Sequence, residues 1–430
     1  MSEGSRTTGR EAREVVGFST ETWLGSLDPI GWRFGLERIT ALLAALGDPQ
    51  HEFESIHVVG TNGKSSVTLM TAALLEASGR TTGCYLSPHA DRWSERIEIG
   101  GTEIGAEAFA RAVSKVAGVV PAVEKGLRDD ERVTQFEAAT AVAFVALADA
   151  GVEVGVIEAG LGGRLDATNV LRSRATVLTS IGLDHTQWLG DTELEIAAEK
   201  LAVLRPGSTL VVGELSPEID ALAREVAAER GCPFIEGQTS NAPRYRGVIG
   251  TFRLRAPYLV RNLEVAIAAA EVVCGPLGDE VIERALRELE LPGRFEINGT
   301  DPPVIRDAAH NPDGAAALAE AIAAQSGERP VVACLAVLGD KDATGIIEAL
   351  APVLSAAVCT EIPPGRLEGA GRPGTSAVDA EELARLCGEA GVPARVCRDP
   401  AGAIVETLRL ARDQPAGVAL IAGSHYLLGY

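Results

Sequence analysis

The sequence predicts an α/β fold with two domains, each built on a mostly parallel sheet that helices cover. Its 430 residues are enough for two or three domains of roughly 150 residues each. Short apolar runs alternate with helical segments along the chain, which is typical of parallel sheets. At Leu291-Pro292-Gly293 a Pro-Gly pair interrupts this alternation, which then starts again, so we place the domain boundary there.

The elements follow in chain order from the spacing of apolar residues. Leu36, Ile39, Leu43 and Leu46 recur at helical intervals, which predicts a helix over residues 35–46. In the first domain the pattern predicts strands at 56–59, 155–157, 176–181 and 209–212, and helices at 67–77, 138–149 and 193–204. In the second domain it predicts strands at 331–337, 356–360 and 418–422, and helices at 314–324 and 380–390. Short strands and turns are expected at 237–257.

The charge balance argues against nucleic acids and anionic membranes as partners. Lysine and arginine number 39 and aspartate and glutamate 60, which gives a net charge of −21 at pH 7. Nucleic-acid-binding domains instead carry a basic surface. A phosphate-bearing ligand would therefore be held locally, by backbone N–H groups, a few cations or a metal, because the long-range field repels it.

The cysteines and the apolar stretches predict a cytoplasmic protein without membrane segments. The seven cysteines are scattered and include no C-x-x-C pair, so we expect reduced thiols rather than disulfides or a zinc site. Residues 1–14 are polar and lack the apolar core of a signal peptide. The longest apolar stretch, 138–148, is too short to cross a bilayer.

A glycine-rich loop is the strongest candidate for a ligand site. Gly60 and Gly63 follow a predicted strand, and Lys64-Ser65-Ser66 opens a helix. Backbone N–H groups in such a loop bind phosphate, and the lysine reaches the terminal phosphates. The spacing departs from the standard P-loop, because Val58 stands where the first glycine belongs. A plain tight turn is the alternative, but lysine and serine directly after glycine favour phosphate binding.

Two acidic groups follow other apolar strands. Glu158 precedes a glycine-rich segment, and a carboxylate at a strand end can hold Mg²⁺, although a solvated strand terminus is equally compatible. The glycines do not form the G-x-G-x-x-G dinucleotide fingerprint. His185 follows Asp184, so it is either a metal ligand or a histidine paired with that aspartate. Lys200 lies in a predicted helix, and its neighbours indicate only an exposed lysine.

Polar residues also cluster beyond the domain boundary. Arg294 lies at the hinge, and Asp307 and His310 follow a strand of the second domain. The guanidinium could clamp phosphates across the cleft between the domains. The alternative is a surface pair between Arg294 and a carboxylate, which would contribute little.

Seven segments occur in an order that resembles one known family. They are GTNGK at 60–64, YLSPH at 85–89, ERI at 95–97, EAGLGGRLDATN at 158–169, LDHT at 183–186, LPGRF at 291–295 and DAAHNP at 307–312. As a set they resemble the folylpolyglutamate synthase/dihydrofolate synthase family, a branch of the Mur ligase superfamily, over about residues 36–429.

The resemblance implies a P-loop ATPase domain with a mostly parallel sheet over residues 1–291. A smaller C-terminal Rossmann-like α/β domain would follow over residues 296–430, with the active site in the cleft between them. The implied activity is an ATP-dependent ligase that adds L-glutamate to 7,8-dihydropteroate and to tetrahydrofolates through an acyl phosphate. ATP and Mg²⁺ would be the cofactors, dihydropteroate or a folate and L-glutamate the partners, and a monomer the expected state.

The resemblance also implies roles for individual residues. The nucleotide would bind to Gly60, Thr61, Asn62, Gly63, Lys64, Ser65, Asn262, Arg294 and Asp307. The metal would bind to Ser87, Glu158 and His185, and the pterin substrate to Thr134, Phe136, Leu165, Asp166 and Ala167. Catalysis would involve Lys64, Lys200 as a CO₂ carbamate, and His310, which would orient or deprotonate the incoming amine. The sequence departs from the family pattern at Ser65, where the family has glycine, and at Val260-Arg261, where it has His-Gln or Pro-Gln.

Three other functions remain compatible with the residues. A Mur-type ligase could act on a cell-wall precursor, and a P-loop NTPase could couple hydrolysis to the motion of a partner. A dehydrogenase is the weakest alternative, because the dinucleotide fingerprint is missing. ATP turnover that requires both the pterin acid and the amino acid would distinguish the ligase from the NTPase.

Overall fold

The computed structural model describes residues 19–28, 35–128, 131–237, 256–369 and 375–430. Within these ranges the chain forms two α/β units, each with a mostly parallel sheet. The segment expected to form short strands and turns, 237–257, lies outside the described residues except at its ends.

The first sheet contains eight strands among the described residues. They are β1 (Glu54–Val59), β2 (Thr82–Tyr85), β3 (Ile97–Ile99), β4 (Thr102–Glu103), β5 (Val154–Glu158), β6 (Ala175–Leu178), β7 (Thr209–Val212) and β8 (Phe234–Glu236). Their order is β4-β3-β2-β5-β1-β6-β7-β8. The six strands from β2 to β8 in this order pair in parallel, which confirms the predicted alternation. The remaining two, β3 and β4, form an antiparallel edge.

Helices cover both faces of this sheet. They are α1 (Thr20–Ser26), α2 (Glu37–Ala45), α3 (Lys64–Ala77), α4 (Ala106–Glu124), α5 (Gln135–Asp149), α6 (Thr186–Leu189), α7 (Glu193–Leu201), α8 (Pro217–Glu229), α9 (Pro257–Cys274) and α10 (Asp279–Glu288). Val156 packs in the core cluster that includes α3, and the next residue, Ile157, packs in the cluster that includes α5. Side chains alternate along a strand, so these two helices lie on opposite faces. Among the described helices, none has the length and hydropathy that crossing a membrane requires.

The second sheet contains six strands among the described residues. They are β9 (Glu296–Asn298), β10 (Val304–Arg306), β11 (Val331–Leu335), β12 (Ala356–Cys359), β13 (Ala394–Val396) and β14 (Val418–Ala422). The order is β13-β12-β11-β14-β10-β9, parallel except for β9. The helices around it are α11 (Pro312–Ser326), α12 (Ala343–Leu350), α13 (Pro364–Gly369), α14 (Ala380–Glu389) and α15 (Pro400–Arg412). The division of the chain into residues 1–291 and 296–430 remains our prediction.

The strand order of the first sheet brings the candidate residues to one edge. β1 lies between β5 and β6, and all three strands run in the same direction. Their carboxyl ends lead into Gly60, Glu158 and the segment that contains Asp184. Ligands of open α/β sheets bind at this edge.

Candidate active site

The glycine-rich loop connects β1 to α3 and depends on its two glycines. Gly60 has a φ of 151° and Gly63 a φ of 83°. A Cβ atom at Gly60 would lie 1.9 Å from Thr179 Oγ1, and one at Gly63 would lie 2.8 Å from Asn262 Oδ1. The backbone therefore passes close to its neighbours, and α3 begins directly after it at Lys64, as predicted. A helix N-terminus behind such a loop attracts anions.

The ammonium group of Lys64 lies beneath this loop. Its Nζ donates to the carbonyl of Thr61 at 3.1 Å. Burial lowers the pKa of Lys64, and the negative charges of Glu158 and Asp184 partly offset that effect. A phosphate in the loop would add further negative charge and favour the protonated lysine.

Glu158 is almost completely buried at the end of β5, where only 1% of its surface is exposed. Its Oε1 accepts a hydrogen bond from Ser65 Oγ, and its Oε2 accepts one from the Ser87 N–H, both at 3.3 Å. Burial raises the pKa of Glu158, against the effects of Lys64 and Ser65. This carboxylate and the adjacent serine hydroxyls are oxygen donors of the kind that Mg²⁺ prefers.

A metal ion at Glu158 would need ligands from the nucleotide. Across the described part of the chain, no three His, Cys, Asp or Glu side chains group closely enough to hold a metal by themselves. Magnesium commonly binds through one or two carboxylates together with substrate phosphates. The residues around Glu158 fit that arrangement.

His185 and Asp184 contact a lysine from the second domain. Lys341 Nζ lies 2.6 Å from Asp184 Oδ1 and 3.2 Å from His185 Nε2. Burial alone would raise the pKa of Asp184, but the hydrogen bond from His310 and the charges of His185 and Lys341 hold it well below its usual range. The metal role of His185 stays a prediction, and Lys341 would have to move for a cation to bind there.

Lys200 is buried. The prediction of an exposed lysine, which was based on its neighbours in the sequence, is therefore wrong. Only 4% of its surface is accessible, and its Nζ donates to the carbonyl of Gly60 at 2.8 Å. Burial, assisted by the charge of Lys64, lowers the pKa of Lys200 to about 7. A substantial fraction of this lysine is therefore an uncharged amine near neutral pH, the form that reacts with CO₂.

Arg294 of the hinge and Asp307 of the second domain also contact the site. Arg294 donates from its guanidinium to Ser65 Oγ at 3.3 Å. Asp307 accepts hydrogen bonds from Tyr258 Oη at 2.5 Å and from the Phe295 N–H at 2.8 Å, and burial raises its pKa. Arg294 thus reaches the glycine-rich loop and is not the isolated surface ion pair of the alternative interpretation.

A pair of asparagines also joins the two domains. Asn62 Nδ2 donates to Asn311 Oδ1 at 3.1 Å, and Asn311 Nδ2 donates to Asn62 Oδ1 at 3.0 Å. The same Asn311 caps the N-terminus of α11 through the Gly314 N–H. The loop of the first domain is therefore aligned directly with a helix of the second.

The residues predicted to bind the pterin differ in burial and in their contacts. Phe136 packs against Gly160, where a Cβ atom would lie 2.3 Å from the ring. Asp166 Oδ2 accepts from the Leu161 N–H at 2.8 Å. Thr134 is buried and caps α5, whereas Leu165 is 40% exposed.

One cavity of about 780 Å³ collects most of these side chains. Lys64, Glu158, His185 and Arg294 all line it, although the sequence separates them widely. The other predicted residues on its wall are Gly60, Thr61, Asn62, Gly63, Ser65, Ser87, Phe136, Asp166, Lys200, Asn262, Asp307 and His310. Thr134, Leu165 and Ala167 are not among the residues that line it.

The cavity also contains residues that the sequence did not single out, notably Tyr258, Lys341 and His425. Lys341 and His425 follow the carboxyl ends of β11 and β14, and that position was a usable signal. Tyr258 stands at the start of α9 and carried no local signal.

A glycine-rich loop between a strand and a helix, which shares a cavity with a second α/β domain, is typical of nucleotide-dependent ligases of the Mur type. Residues 293–425 match the family described as Mur ligase, glutamate ligase domain. The chain belongs to the dihydrofolate synthase/folylpolyglutamate synthase family. This confirms the family resemblance and the two-part α/β fold that the sequence predicts.

Three relatives illustrate the similarity. The chain is 35% identical over 394 residues to the dihydrofolate synthase/folylpolyglutamate synthase of Mycobacterium tuberculosis, covering 84% of this chain and 79% of that protein. The solved Mycobacterium tuberculosis folylpolyglutamate synthase complexed with ADP superposes with a TM-score of 0.84 at 30% identity, covering 95% of this chain and 96% of that one. The bifunctional synthase of Yersinia pestis complexed with AMPPNP and Mn ion superposes with a TM-score of 0.78 at 30% identity, covering 95% of both chains.

Proposed function

We propose that the chain is an ATP-dependent ligase that joins L-glutamate to 7,8-dihydropteroate and extends tetrahydrofolates with further glutamates. The observation that carries this proposal is the shared cavity, which Lys64 and Glu158 of the first domain line together with Arg294 of the hinge. The relatives named above are dihydrofolate synthases/folylpolyglutamate synthases, and one of them binds ADP.

The reaction must first activate a carboxylate. A carboxylate is a poor acyl donor, so its oxygen attacks the γ-phosphorus of ATP, which releases ADP and gives an acyl phosphate. The amine of glutamate then attacks the acyl carbon, forms the amide bond and releases phosphate. Phosphoryl transfer depends on positioning and charge stabilisation more than on a protein nucleophile.

The nucleotide phosphates bind where the backbone and the cations converge. The N–H groups at the N-terminus of α3 bind the phosphate chain together with Lys64, whereas the N–H groups of Thr61 and Asn62 donate to Ser180. Arg294 reaches the same point from the hinge, through its contact with Ser65. Asn262 and Asp307 contact the rest of the nucleotide. These donors act in a buried site, where electrostatic stabilisation is strong.

Magnesium is the metal that we propose, with Glu158 and Ser87 as its protein ligands and His185 at a second site. The ion neutralises phosphate charge when it is bound. The Mn ion of the Yersinia pestis complex is consistent with a divalent cation in this family. Ser65 holds Glu158 in place from the adjacent helix.

Lys200 is proposed to carry a CO₂ carbamate, which turns a cation into an anion that faces the metal. Its depressed pKa, about 7, makes the reactive amine available at neutral pH. Removal of CO₂ and bicarbonate from the assay should lower the turnover, and added bicarbonate should restore it.

Different residues are proposed to bind the acyl acceptor and the pterin. His310 orients or deprotonates the amine of glutamate, and its Nε2 lies 3.6 Å from Asp184 Oδ2. Phe136 and Asp166 receive the pterin, with Thr134, Leu165 and Ala167 shaping the surrounding loops. We further propose a monomer that works in the cytoplasm, where its seven free cysteines would stay reduced.

A single assay tests the proposed function. The purified protein is incubated with Mg²⁺-ATP, dihydropteroate and labelled glutamate, and ADP and dihydrofolate are measured. ADP release should require both other substrates and should match the amide formed. A parallel reaction with a tetrahydrofolate tests the second activity. ADP release that is equally fast without dihydropteroate and glutamate would identify an NTPase instead, and Lys64→Met provides the inactive control.

A further inference from the structure

A buried histidine in the central strand connects the protein core to the proposed pterin site. His57 lies on β1 between Ile56 and Val58, both fully buried, and only 1% of its own surface is exposed. Burial lowers the pKa of His57 to about 3, so the imidazole is neutral. A polar ring in such a position is costly unless its nitrogens are hydrogen bonded. Its Nε2 lies 2.7 Å from Thr168 Oγ1.

The contact between Thr168 and Asp166 determines which group donates in the hydrogen bond between His57 and Thr168. Thr168 Oγ1 lies 2.5 Å from Asp166 Oδ1, and the Thr168 N–H donates to the same oxygen at 2.9 Å. Burial raises the pKa of the Asp166 carboxyl, against the hydrogen bonds that it accepts, and the threonine hydroxyl is the donor to its Oδ1. The hydroxyl oxygen must then accept from His57, which fixes the neutral ring in the form that carries its proton on Nε2.

The chain of hydrogen bonds ends at the cavity. Asp166 lines it beside Phe136, whereas Thr168 and His57 are buried behind it. The second carboxylate oxygen of Asp166 accepts from the Leu161 N–H at 2.8 Å. Both oxygens are therefore fixed, and the orientation of the carboxylate is set from the core of the first domain.

We infer that Thr168 and His57 are positioning residues that orient the Asp166 carboxylate toward the pterin ring of the substrate. This inference rests on the proposed function, which places the pterin at Asp166. A pterin presents ring and amino N–H groups, and a carboxylate accepts such donors best when its direction is set in advance.

The hydroxyl is tested by variants that differ at one group. Thr168→Val replaces the hydroxyl with a methyl group of similar size, and Thr168→Ser keeps the hydroxyl. The dissociation constant of dihydropteroate is measured by ligand fluorescence with a non-hydrolysable ATP analogue present. We expect Thr168→Val to raise it about tenfold and Thr168→Ser to leave it within about twofold. The KM for ATP should stay within about twofold in both variants.

The imidazole is tested in the same assay. His57→Gln keeps an N–H donor that can reach Thr168, and His57→Leu removes it at similar volume. We expect the leucine variant to weaken dihydropteroate binding about threefold, and the glutamine variant to bind more tightly than the leucine variant. Equal dissociation constants for these two variants and the wild type would exclude His57 from the chain of contacts.

A double-mutant cycle separates positioning from general support of the fold. If Thr168 acts through Asp166, adding Thr168→Val to Asp166→Ala should weaken dihydropteroate binding no further. Additive effects, or a parallel rise in the constants for ATP and dihydropteroate with a loss of Tm, would show a merely structural role and overturn the inference. If the wild type does not bind dihydropteroate at all, the proposed function fails together with this inference. If the wild type binds it and Thr168→Val binds equally well, only the inference fails.

Discussion

Lys341 of the second domain donates a hydrogen bond to Asp184 of the first, with 2.6 Å between Nζ and Oδ1. Both side chains are largely buried, with 4% and 9% of their surfaces exposed. Asn311 also donates to the other oxygen of this carboxylate, at 3.2 Å. Two side chains of the second domain therefore donate hydrogen bonds to the Asp184 carboxylate.

Replacing Lys341 with methionine should strongly reduce ligase turnover. The change leaves a buried carboxylate without its closest cation and removes a positive charge from the cavity, so we expect kcat/KM to fall on the order of 100-fold. Steady-state ADP release measures the loss. Lys115→Met is the matched control, because Lys115 pairs with Asp149 on the surface with 53% of its side chain exposed. Equal activity in the two variants would contradict a role for Lys341 in the site.

Replacing Glu158 with glutamine should change the metal requirement. The carboxylate is the buried oxygen donor that we propose for Mg²⁺, so the Mg²⁺ concentration for half-maximal activity should rise about tenfold or more. Mn²⁺ binding to the nucleotide complex, followed by electron paramagnetic resonance, should weaken in parallel. Glu107→Gln, at a side chain that is 97% exposed, should match the wild type in both measurements. An unchanged Mn²⁺ affinity would remove Glu158 from the metal site.

The depressed pKa of Lys200 predicts how stability depends on pH. The folded protein releases this proton near pH 7, whereas an ordinary lysine, with a pKa of 10.5, keeps it in the unfolded chain. Between these values the unfolded state binds more protons, so this residue makes the free energy of unfolding rise with pH, by up to about 1.4 kcal/mol per pH unit.

Lys200→Met should remove that rise. Denaturant unfolding of wild type and variant in CO₂-free buffer at about pH 7, 8 and 9 measures the free energy of unfolding of each. The free energy of unfolding of the wild type should increase relative to that of the variant as the pH rises. Lys115→Met should follow the wild type. A constant difference across the range would mean that Lys200 keeps its proton in the folded protein.

His310→Ala should separate the two chemical steps. If His310 acts on the amine, amide formation should fall about 100-fold or more, while phosphoryl transfer to dihydropteroate continues. Hydroxylamine, which traps an acyl phosphate as a hydroxamate, measures the first step without glutamate. We expect the variant to form hydroxamate at close to the wild-type rate. Loss of the hydroxamate as well would place His310 in the first step, and full amide formation would exclude it from both.

Much of the fold could be predicted because its central strands are buried on both faces. The residues of β5, β11 and β14 are all buried, and such strands give the short apolar runs that sequence patterns detect. The edge strands β3 and β4 were not predicted, since they are only three and two residues long. The helix Ala106–Glu124 was also missed, because Gly118 and Pro121 within it resemble signals that end a helix.

The candidate site was predictable only where residues act as contiguous motifs. The spacing of the glycines and the lysine predicts the loop from Gly60 to Lys64. The position of Glu158 directly after a predicted strand indicates that residue. Tyr258 reaches the cavity through the packing of separate elements, which no local pattern reports, whereas the position of Lys341 after a strand was a usable signal. The burial of Lys200 likewise depends on its contact with Gly60, at the far end of a different strand.

The reciprocal amides of Asn62 and Asn311 have a consequence for the way the domains respond to dissolved salt. The two hydrogen bonds between these neutral amides involve no net charge that salt could screen. The nearby ion pair of Lys341 and Asp184 is largely buried and so is little screened by dissolved ions. The alignment of the two halves should therefore persist at ionic strengths that dissociate exposed ion pairs. Added salt also screens the repulsion among the acidic groups of a chain with a net charge of −21, so the folded, aligned state should persist at high ionic strength.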